Sequence, residues 1–433
     1  MKNKFENKFV KNVLALSSGT FLAQLLLFLT SPLLTRLFSL ENFGQLAIFT
    51  SFLSIFMYSL SLRYELAFIN ISVLKEKLKL LKLLILLVII NALLVVIILM
   101  LLEFWSIVEY FNNTFMYILL LLSLVGIGIF NVFEHFAISE GKFKSLSIST
   151  IQQTLTLVVV QLLGGVLSLN KGLILGDSIS RWSGITVLVK SLTKEQFIYL
   201  LNVKLREGIK YLKIYSDYAK YSSISGITNN FVMQSPPIIL ALYFQQPLIG
   251  LFTILQRVLV VPIKLISQAV RQAYTNRLKE YITNHKYSDL KIFMKKIVLI
   301  LFALSICPSI LLYLYGENIL ILIFGNNLEN SERTLRILLI YSISQFIFIP
   351  IANTLEFLNK QKIIFYWQLV RFIFVVVILI GMPYFNFNFQ QTLLGYVSIM
   401  SLFYIMLFII NLLLLNKIEG SSTISEGGTY EKQ

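Results

Sequence analysis

Four polar side chains recur along one face of the apolar stretch at residues 247–270. They are Arg257, Lys264, Gln268 and Arg271. On an ideal helix all four point within about 40° of one another, although Pro262 makes this alignment approximate. If the stretch enters a bilayer from outside, Arg257 lies about 15 Å deep, near the midplane. The pattern predicts a cationic, lumen-facing stripe that suits anions. Buried carboxylates that neutralise it, or a Lys264 that snorkels to the interface, are the alternatives.

Other charges also lie in apolar stretches. Arg371 is about 12 Å in from the cytoplasmic side of the stretch at 363–385, too deep to reach the interface easily, so we expect it to line a cavity. Asp177 and Arg181 stand four residues apart with the acid first, a spacing that favours an intrahelical ion pair. This pair is either functional or a self-neutralised structural feature.

Three further ionisable residues, Glu134, His135 and Glu356, fall in the cytoplasmic third of their stretches. Facing a cavity, they could couple transport to protons or cations, and histidine titrates near neutral pH. The alternative is that they stabilise a neighbouring helix. Four mid-stretch amides could contact sugar hydroxyls or bind helices together. They are Gln24, Asn229, Asn230 and Gln234.

The segment LRYELAFI at residues 62–69 places Arg63 and Glu65 in an apolar run. On a continuous helix over 43–70 the two side chains point about 200° apart, so they cannot neutralise each other. We therefore expect each to have its own partner, its own water or a ligand. Both lie about 30 Å along the helix, near the cytoplasmic interface, where Arg63 can also snorkel to lipid phosphate.

The composition is that of an integral membrane protein. The 433 residues are 57% hydrophobic and 13% charged, with a net charge of +16, and soluble domains are about 25% charged. Nucleic-acid binding is not indicated, because the basic residues form short runs between apolar stretches instead of one soluble face. One cysteine and two distant histidines exclude a disulfide framework and argue against a metal site, and no cofactor is expected. The first apolar stretch is too long for a signal peptide and reads as a retained span.

Twelve stretches are long enough to cross a bilayer. They lie near 13–36, 43–70, 80–102, 114–138, 146–168, 172–190, 217–244, 247–270, 293–315, 333–357, 363–385 and 391–415. Basic loops alternate with nearly uncharged ones, so the positive-inside rule puts both termini in the cytoplasm. We expect an all-α membrane protein of about twelve transmembrane helices.

The sequence divides at a basic cytoplasmic segment. We expect an N-terminal six-helix bundle at 1–190, an amphipathic interfacial helix at 191–216 and a second six-helix bundle at 217–415, before a disordered tail at 416–433. The two halves contain a weak internal repeat. Ser31-Pro32 precedes Gly44 in the first half, and Ser235-Pro236 precedes Gly250 in the second. Six spans per half predict parallel repeats related by a pseudo-two-fold axis, with a central site.

The motifs GTFLAQ, SPLLTRLFSLENFG and SLRYELAFI within the first seventy residues resemble the opening of Wzx-type polysaccharide-unit flippases. These belong to the multidrug, oligosaccharidyl-lipid and polysaccharide (MOP) exporter superfamily. The motifs cover mainly the first two spans, while span count and basic loops agree along the whole chain.

This resemblance implies alternating access that moves an undecaprenyl-pyrophosphate-linked oligosaccharide, an O-antigen or capsule precursor, across a bacterial plasma (inner) membrane. It implies a role for Arg63 or Glu65 at the cytoplasmic gate or entrance. It also implies membrane lipids, H⁺ or Na⁺ as a coupling ion, and a polysaccharide polymerase and chain-length regulator as partners. The path must be polar and cationic, because the head group is a hydrated polyanion.

Two other functions compete with the flippase. A multidrug exporter of the same superfamily is expected to carry acids and aromatics around its cavity, whereas the deepest charges here are Arg257 and Arg371. An integral-membrane glycan polymerase or ligase usually needs a large outer loop, but the segment at 316–333 is short and partly apolar. The sequence contains no Walker loop, GxSxG or HExxH motif, so we expect a transporter and not an enzyme.

Overall fold

In a computed structural model, the described part of the chain comprises residues 2–105, 113–358 and 360–427, and every regular element in it is helical. This confirms the expected all-α class. The chain forms two compact units, residues 1–251 and 252–433. The expected halves at 1–190 and 217–415 are drawn from an internal repeat and remain a prediction.

Within its described residues, 2–105 and 113–251, the first unit contains nine α-helices and the start of a tenth. They are α1 Lys2–Leu37, α2 Leu40–Leu60, α3 Leu74–Phe104, α4 Thr114–Ser139, α5 Phe143–Val166, α6 Gly172–Lys190, α7 Lys194–Asn202, α8 Arg206–Ile214, α9 Ser223–Ala241 and α10 Gln246–Thr283. Helix α5 packs against α1 and α6, and α2 packs against α4 and α9.

The second unit continues α10 and, over the residues that the structure describes there, adds five α-helices. They are α11 Tyr287–Phe324, α12 Glu332–Phe348, α13 Thr354–Phe357, α14 Gln361–Tyr384 and α15 Phe389–Gly427. Helix α15 packs against α11, α12 and α14. At the end where α10 turns into α11, Tyr274 and Phe293 stack with ring centroids 6.0 Å apart, within a core that includes Leu415.

Ten of the helical segments in the described residues are long and apolar enough to cross a bilayer. They coincide with ten of the twelve predicted spans. The sixth and seventh predictions fall on α6 and α9, which have 19 residues each, about 28 Å of helix, but are not among the ten. These two helices carry many of the predicted polar site residues, and their place in the membrane remains a prediction.

Three segments outside the predicted spans differ in secondary structure from what the sequence indicates. The segment at 191–216 is not one helix: it forms α7 and α8, because the chain is extended at Val203. The segment between the predicted spans 247–270 and 293–315, which we expect to be a cytoplasmic loop, is almost entirely helical, since only residues 284–286 separate α10 from α11. The tail predicted as disordered from residue 416 is helical to Gly427, and its last six residues lie outside the described part.

The linker helices dock on the start of α3. Thr193 and Gln196 form a capping box that begins α7. Lys82 donates to the carbonyl oxygens of Leu201 and Val203 at 2.6 and 2.8 Å, which satisfies the end of α7. These bonds hold α7 against α3 within the first unit.

The first turns of α2 and α10 are in backbone contact. A Cβ atom added to Gly250 would lie 1.8 Å from the carbonyl oxygen of Leu40 and 3.0 Å from the nitrogen of Gly44. Beside this contact, the Gln45 amide donates to the side-chain oxygen of Gln246 at 3.2 Å. The two glycines paired by the internal repeat therefore touch, and only glycine permits such an approach.

Candidate functional site

Arg63 and Glu65 lie where α2 ends. The helix stops at Leu60, and Leu62 and Arg63 adopt left-handed φ angles of 52° and 60° before the 3-10 helix Tyr64–Asn70 begins. The expectation that the two charges point apart is wrong, because it assumed a continuous helix. The turn instead brings Arg63 Nη1 to 3.8 Å from Glu65 Oε1.

Glu65 is fully buried and has polar neighbours at both carboxylate oxygens. Ser61 Oγ donates to Oε2 at 2.5 Å, and Asn131 Nδ2, from α4, donates to Oε1 at 3.2 Å. The guanidinium of Arg63 also lies 4.4 Å from the centre of the Tyr58 ring. These contacts compensate the buried carboxylate locally, since a buried charge is costly unless it is paired and hydrogen-bonded.

Tyr64, which lies between Arg63 and Glu65, joins the segment after α2 to the linker helix α8. Tyr64 is buried, and its hydroxyl donates to the carbonyl oxygen of Leu212 in α8 at 3.0 Å. Burial raises the pKa of the Tyr64 phenol above its usual value of 10.0. Six residues on, Asn70 donates to the hydroxyl of Tyr218 at 2.9 Å.

Of the three predicted coupling residues, the structure brings one to this cluster. His135, half-buried on α4, lies within electrostatic range of both Glu65 and Arg63. The preceding residue, Glu134, is also half-buried. Glu356 lies in the second unit on the short helix α13 and is exposed.

The predicted intrahelical pair on α6 is confirmed. Arg181 Nε donates to Asp177 Oδ2 at 3.0 Å, and Nη2 donates to both carboxylate oxygens at 3.0 and 2.9 Å. Both side chains are only 14% exposed. Several parallel hydrogen bonds between one guanidinium and one carboxylate make such a pair strong. This geometry agrees with the alternative in which Asp177 and Arg181 form a self-neutralised structural pair.

Among the amides, Asn230 acts as a link between helices. Its side chain on α9 donates to the carbonyl oxygen of Ser54 in α2 at 2.8 Å. This contact favours the helix-packing alternative for Asn230. Gln24, Asn229 and Gln234 are half-buried, and a glycan-contacting role for them remains a prediction.

The cationic stripe lies on one uninterrupted helix. Arg257 is half-buried in the candidate span Gln246–Ile263, eleven residues or about 16 Å from the start of α10. Pro262 lies inside the helix, which continues to Thr283. Gln268 and Arg271 are exposed, whereas the side chain of Lys264 lies outside the described ones.

Arg371 does not lie on an open surface in this conformation. It is 2% exposed on α14, and its guanidinium carbon is 4.4 Å from the centre of the Trp367 ring. Its charge acts on three buried tyrosines that the sequence reasoning missed. They are Tyr341, Tyr396 and Tyr404. Tyr396 and Tyr404 are eight residues apart on α15, a helical spacing that ordinary core aromatics share, and Tyr341 lies on α12.

No protein-family model and no curated protein matches the sequence. Solved structures match through their fold. The lipid II flippase MurJ, in an inward closed conformation, matches with a TM-score of 0.68 and 15% identity, over 96% of this chain and 92% of MurJ. An inward-facing MATE-family multidrug resistance transporter of the MOP superfamily gives 0.61 and 14%, over 92% of this chain and 96% of that one.

A third match is a MOP superfamily transporter from Pyrococcus furiosus, for which reversed polarity of the binding pocket suggests a different function. It has a TM-score of 0.58 and 14% identity, over 94% of this chain and 96% of that one. Identities this low establish the fold alone. The chain is therefore an all-α membrane protein with the fold of the MOP superfamily transporters.

Proposed function

We propose that this protein is a flippase that moves an oligosaccharide linked to undecaprenyl pyrophosphate, an O-antigen or capsule precursor, from the cytoplasmic to the outer leaflet of a bacterial plasma membrane. The observation that carries the proposal is Arg257, a cation well inside the membrane-spanning part of α10. Intramembrane ionisable residues are costly and usually mark a substrate or ion path.

The chemistry of the substrate explains the choice of arginine. A pyrophosphate group is a hydrated polyanion, so its passage through hydrocarbon requires replacement of its water by polar partners. A guanidinium stays charged and presents several donors in a fixed fork that fits phosphate oxygens. The stripe from Arg257 through Lys264 to Arg271 would then guide the head group between mid-membrane and the cytoplasmic face.

A multidrug exporter of the same superfamily is the second candidate, because the MATE transporter shares the fold. Its cationic substrates would need accessible acids. In the first unit, however, Asp177 is bonded to Arg181, and Glu65 is buried against Ser61 and Asn131. This local compensation of Asp177 and Glu65 favours an anionic substrate.

The test is transport in proteoliposomes. Protein is reconstituted with a fluorescent undecaprenyl-pyrophosphate-linked oligosaccharide, and its movement between leaflets is measured for wild type, Arg257→Ala and Arg257→Lys. The matched control is Arg277→Ala, because Arg277 lies on the same helix but is 62% exposed and paired with Glu280. We expect Arg257→Ala to reduce transport at least tenfold, Arg257→Lys to retain part of it and the control to resemble wild type.

One outcome would overturn the flippase proposal: wild type that moves no lipid-linked sugar but expels a cationic dye would identify a drug exporter. Equal transport by wild type and Arg257→Ala would instead overturn the role of Arg257 in the path and leave the flippase activity standing. A pH or Na⁺ gradient imposed on the same vesicles identifies the coupling ion.

A further inference from the structure

Helices α11 and α12 of the second unit touch at two places and leave a groove between them. At one contact, a Cβ atom added to Gly316 would overlap the side chain of Leu335. At the other, Leu301 packs with Phe346 and Ile347 in a buried cluster. The two contacts are about 18 Å apart along α12. The helices are therefore fixed at both ends of the groove.

The groove, which we call the α11–α12 groove, is large enough for a ligand and mainly apolar. Its volume is about 440 Å³, within the range of small-molecule sites. Pro308 lies inside α11 between the two contacts, where it removes one helical hydrogen bond and favours a bend. The apolar lining residues are Ile310 and Leu314 from α11 and Ile337, Leu339, Ile340 and Ile343 from α12.

Polar side chains lie at one end of the α11–α12 groove. Helix α12 begins at Glu332, and Arg336 lies one turn further, about 6 Å along the axis. The guanidinium carbon of Arg336 is 4.4 Å from the centre of the Tyr313 ring, and tyrosines are common at the membrane interface. From Arg336 the groove continues about 10 Å to Ile343, into the apolar part of the candidate span. Charges at the interface and an apolar groove below them match the build of a phospholipid.

The rim of the groove carries one charge of each sign. Arg336 Nη2 forms an ion pair with Glu332 Oε1, and Arg336 Nε donates to the carbonyl oxygen of Tyr313 at 3.4 Å. The side chains of Arg336 and Glu332 are 36% and 49% exposed, so a headgroup can reach both. Arg333, on the same turn, donates instead to the side chain of Gln390 in α15 at 3.4 Å.

A zwitterionic headgroup with a primary amine complements this pair of charges. Its phosphate fits the donor fork of a guanidinium. Its ammonium donates N–H groups to a carboxylate, which a quaternary ammonium cannot do because it has no N–H. An anionic headgroup without an amine would place a second negative charge beside Glu332.

We propose that the α11–α12 groove binds one phosphatidylethanolamine-type lipid, with the headgroup on Arg336 and Glu332 and one acyl chain along Ile340. The chain fills the space between the two contacts of α11 and α12. The topology predicted from the basic loops puts this headgroup in the outer leaflet. The proposal does not depend on what the protein transports.

The native cysteine supplies a reporter for the test. Cys307, the single cysteine of the chain, is exposed on α11, three residues before Ile310 and seven before Leu314, on the same face of the helix. The full-length protein is labelled there with a thiol-reactive fluorophore and reconstituted in phosphatidylcholine bilayers. Increasing fractions of phosphatidylethanolamine, phosphatidylglycerol or phosphatidylcholine with brominated chains are then added, since bromine quenches a fluorophore on contact. We expect quenching by the ethanolamine lipid to saturate at the lowest fraction.

Substitutions at the rim show whether the headgroup is bound there. Arg336→Ala and Glu332→Gln each remove one headgroup contact and are expected to weaken the apparent affinity for the brominated ethanolamine lipid about tenfold. The matched control is Arg277→Ala, which breaks another exposed arginine–glutamate pair, on α10, and should resemble wild type. Equal quenching by all three lipids, or an unchanged affinity in both rim variants, would overturn the proposal. Preference for phosphatidylglycerol would identify an anionic-lipid site and would overturn it as well.

Native mass spectrometry supplies a second readout that does not depend on the fluorophore. Detergent-purified protein is mixed with equal amounts of the three lipids, and the lipids retained by the protein are counted. Ile340→Trp places a larger side chain in the groove and should reduce retention of phosphatidylethanolamine, whereas Ile373→Trp, at a similarly exposed position on α14, should not. Equal retention by these two variants would show that the lipid is not held in the α11–α12 groove, and would overturn the proposal.

Discussion

Replacing Gly250 with alanine tests the close contact between α2 and α10. The added methyl group would lie 1.8 Å from the carbonyl oxygen of Leu40, whereas carbon and oxygen normally stay at least about 3.3 Å apart. The first turns of the two helices must therefore separate by about 1.5 Å. The obstructing atom belongs to the backbone, so no side-chain rotation can relieve the clash.

The magnitude follows from two opposing effects. Overpacking a well-packed contact costs about 1–3 kcal/mol, while replacing glycine with alanine inside a helix gains about 1 kcal/mol. Gly381→Ala isolates the second effect, because a Cβ there meets nothing within 4 Å. We expect Gly250→Ala to be less stable than Gly381→Ala by about 1–3 kcal/mol.

Two assays measure the effect. Thermal unfolding in detergent compares the two variants with wild type. In a Cys307→Ser background, Gln45→Cys and Gln246→Cys replace a side-chain pair that is 3.2 Å apart, and a short bifunctional thiol reagent reports whether the helix ends remain adjacent. We expect Gly250→Ala to slow cross-linking and Gly381→Ala to leave it unchanged. A Gly250→Ala protein that is as stable as Gly381→Ala and cross-links as fast as wild type would refute the reasoning.

Three further outcomes are expected in the first unit. Arg181→Ala leaves the buried carboxylate of Asp177 without its ion-pair partner and should destabilise the protein more than the double variant with Asp177→Ala, by about 1–3 kcal/mol in denaturation. Asn230→Ala removes one bond between α9 and α2 and should cost about 1 kcal/mol, whereas Asn230→Asp should cost more; equal losses would contradict the hydrogen-bond assignment. Burial raises the pKa of the Tyr64 phenol above 10.0. The contribution of the protonated phenol to the free energy of unfolding is therefore complete below pH 10, and it is lost as the pH rises through the raised pKa. Stability measured above pH 10 should therefore fall more steeply in wild type than in Tyr64→Phe, and parallel profiles would contradict this.

The helical class and ten of the spans were predictable because length and hydropathy suffice to identify a membrane helix. Helix ends were less predictable, as α10 shows. Its polar C-terminal extension, which reaches Thr283, has too many charges to resemble a span, so the sequence indicated a loop. A helix that leaves the membrane is stabilised by packing, such as that of Tyr274 and Leu278 in the second-unit core, and hydropathy does not record such packing.

Within the candidate sites, local pairs were predictable and long-range pairs were not. Asp177 and Arg181 are four residues apart on one helix, so their spacing alone determines the contact. Arg63 and Glu65 were placed wrongly because two non-glycine residues adopt left-handed φ angles, which sequence rules treat as uncommon. The tyrosines around Arg371 come from different helices, and their convergence depends on tertiary packing.

The contact between α2 and α9 bears on how the chain is made. Asn230 and Ser54 are separated by 176 residues, and Tyr64 and Leu212 by 148. During synthesis, six further helices, α3 to α8, therefore follow α2 before its partner Asn230 on α9 exists. Since such distant contacts form late and leave surfaces exposed, the nascent first unit should depend on insertion machinery or chaperones until α9 is complete.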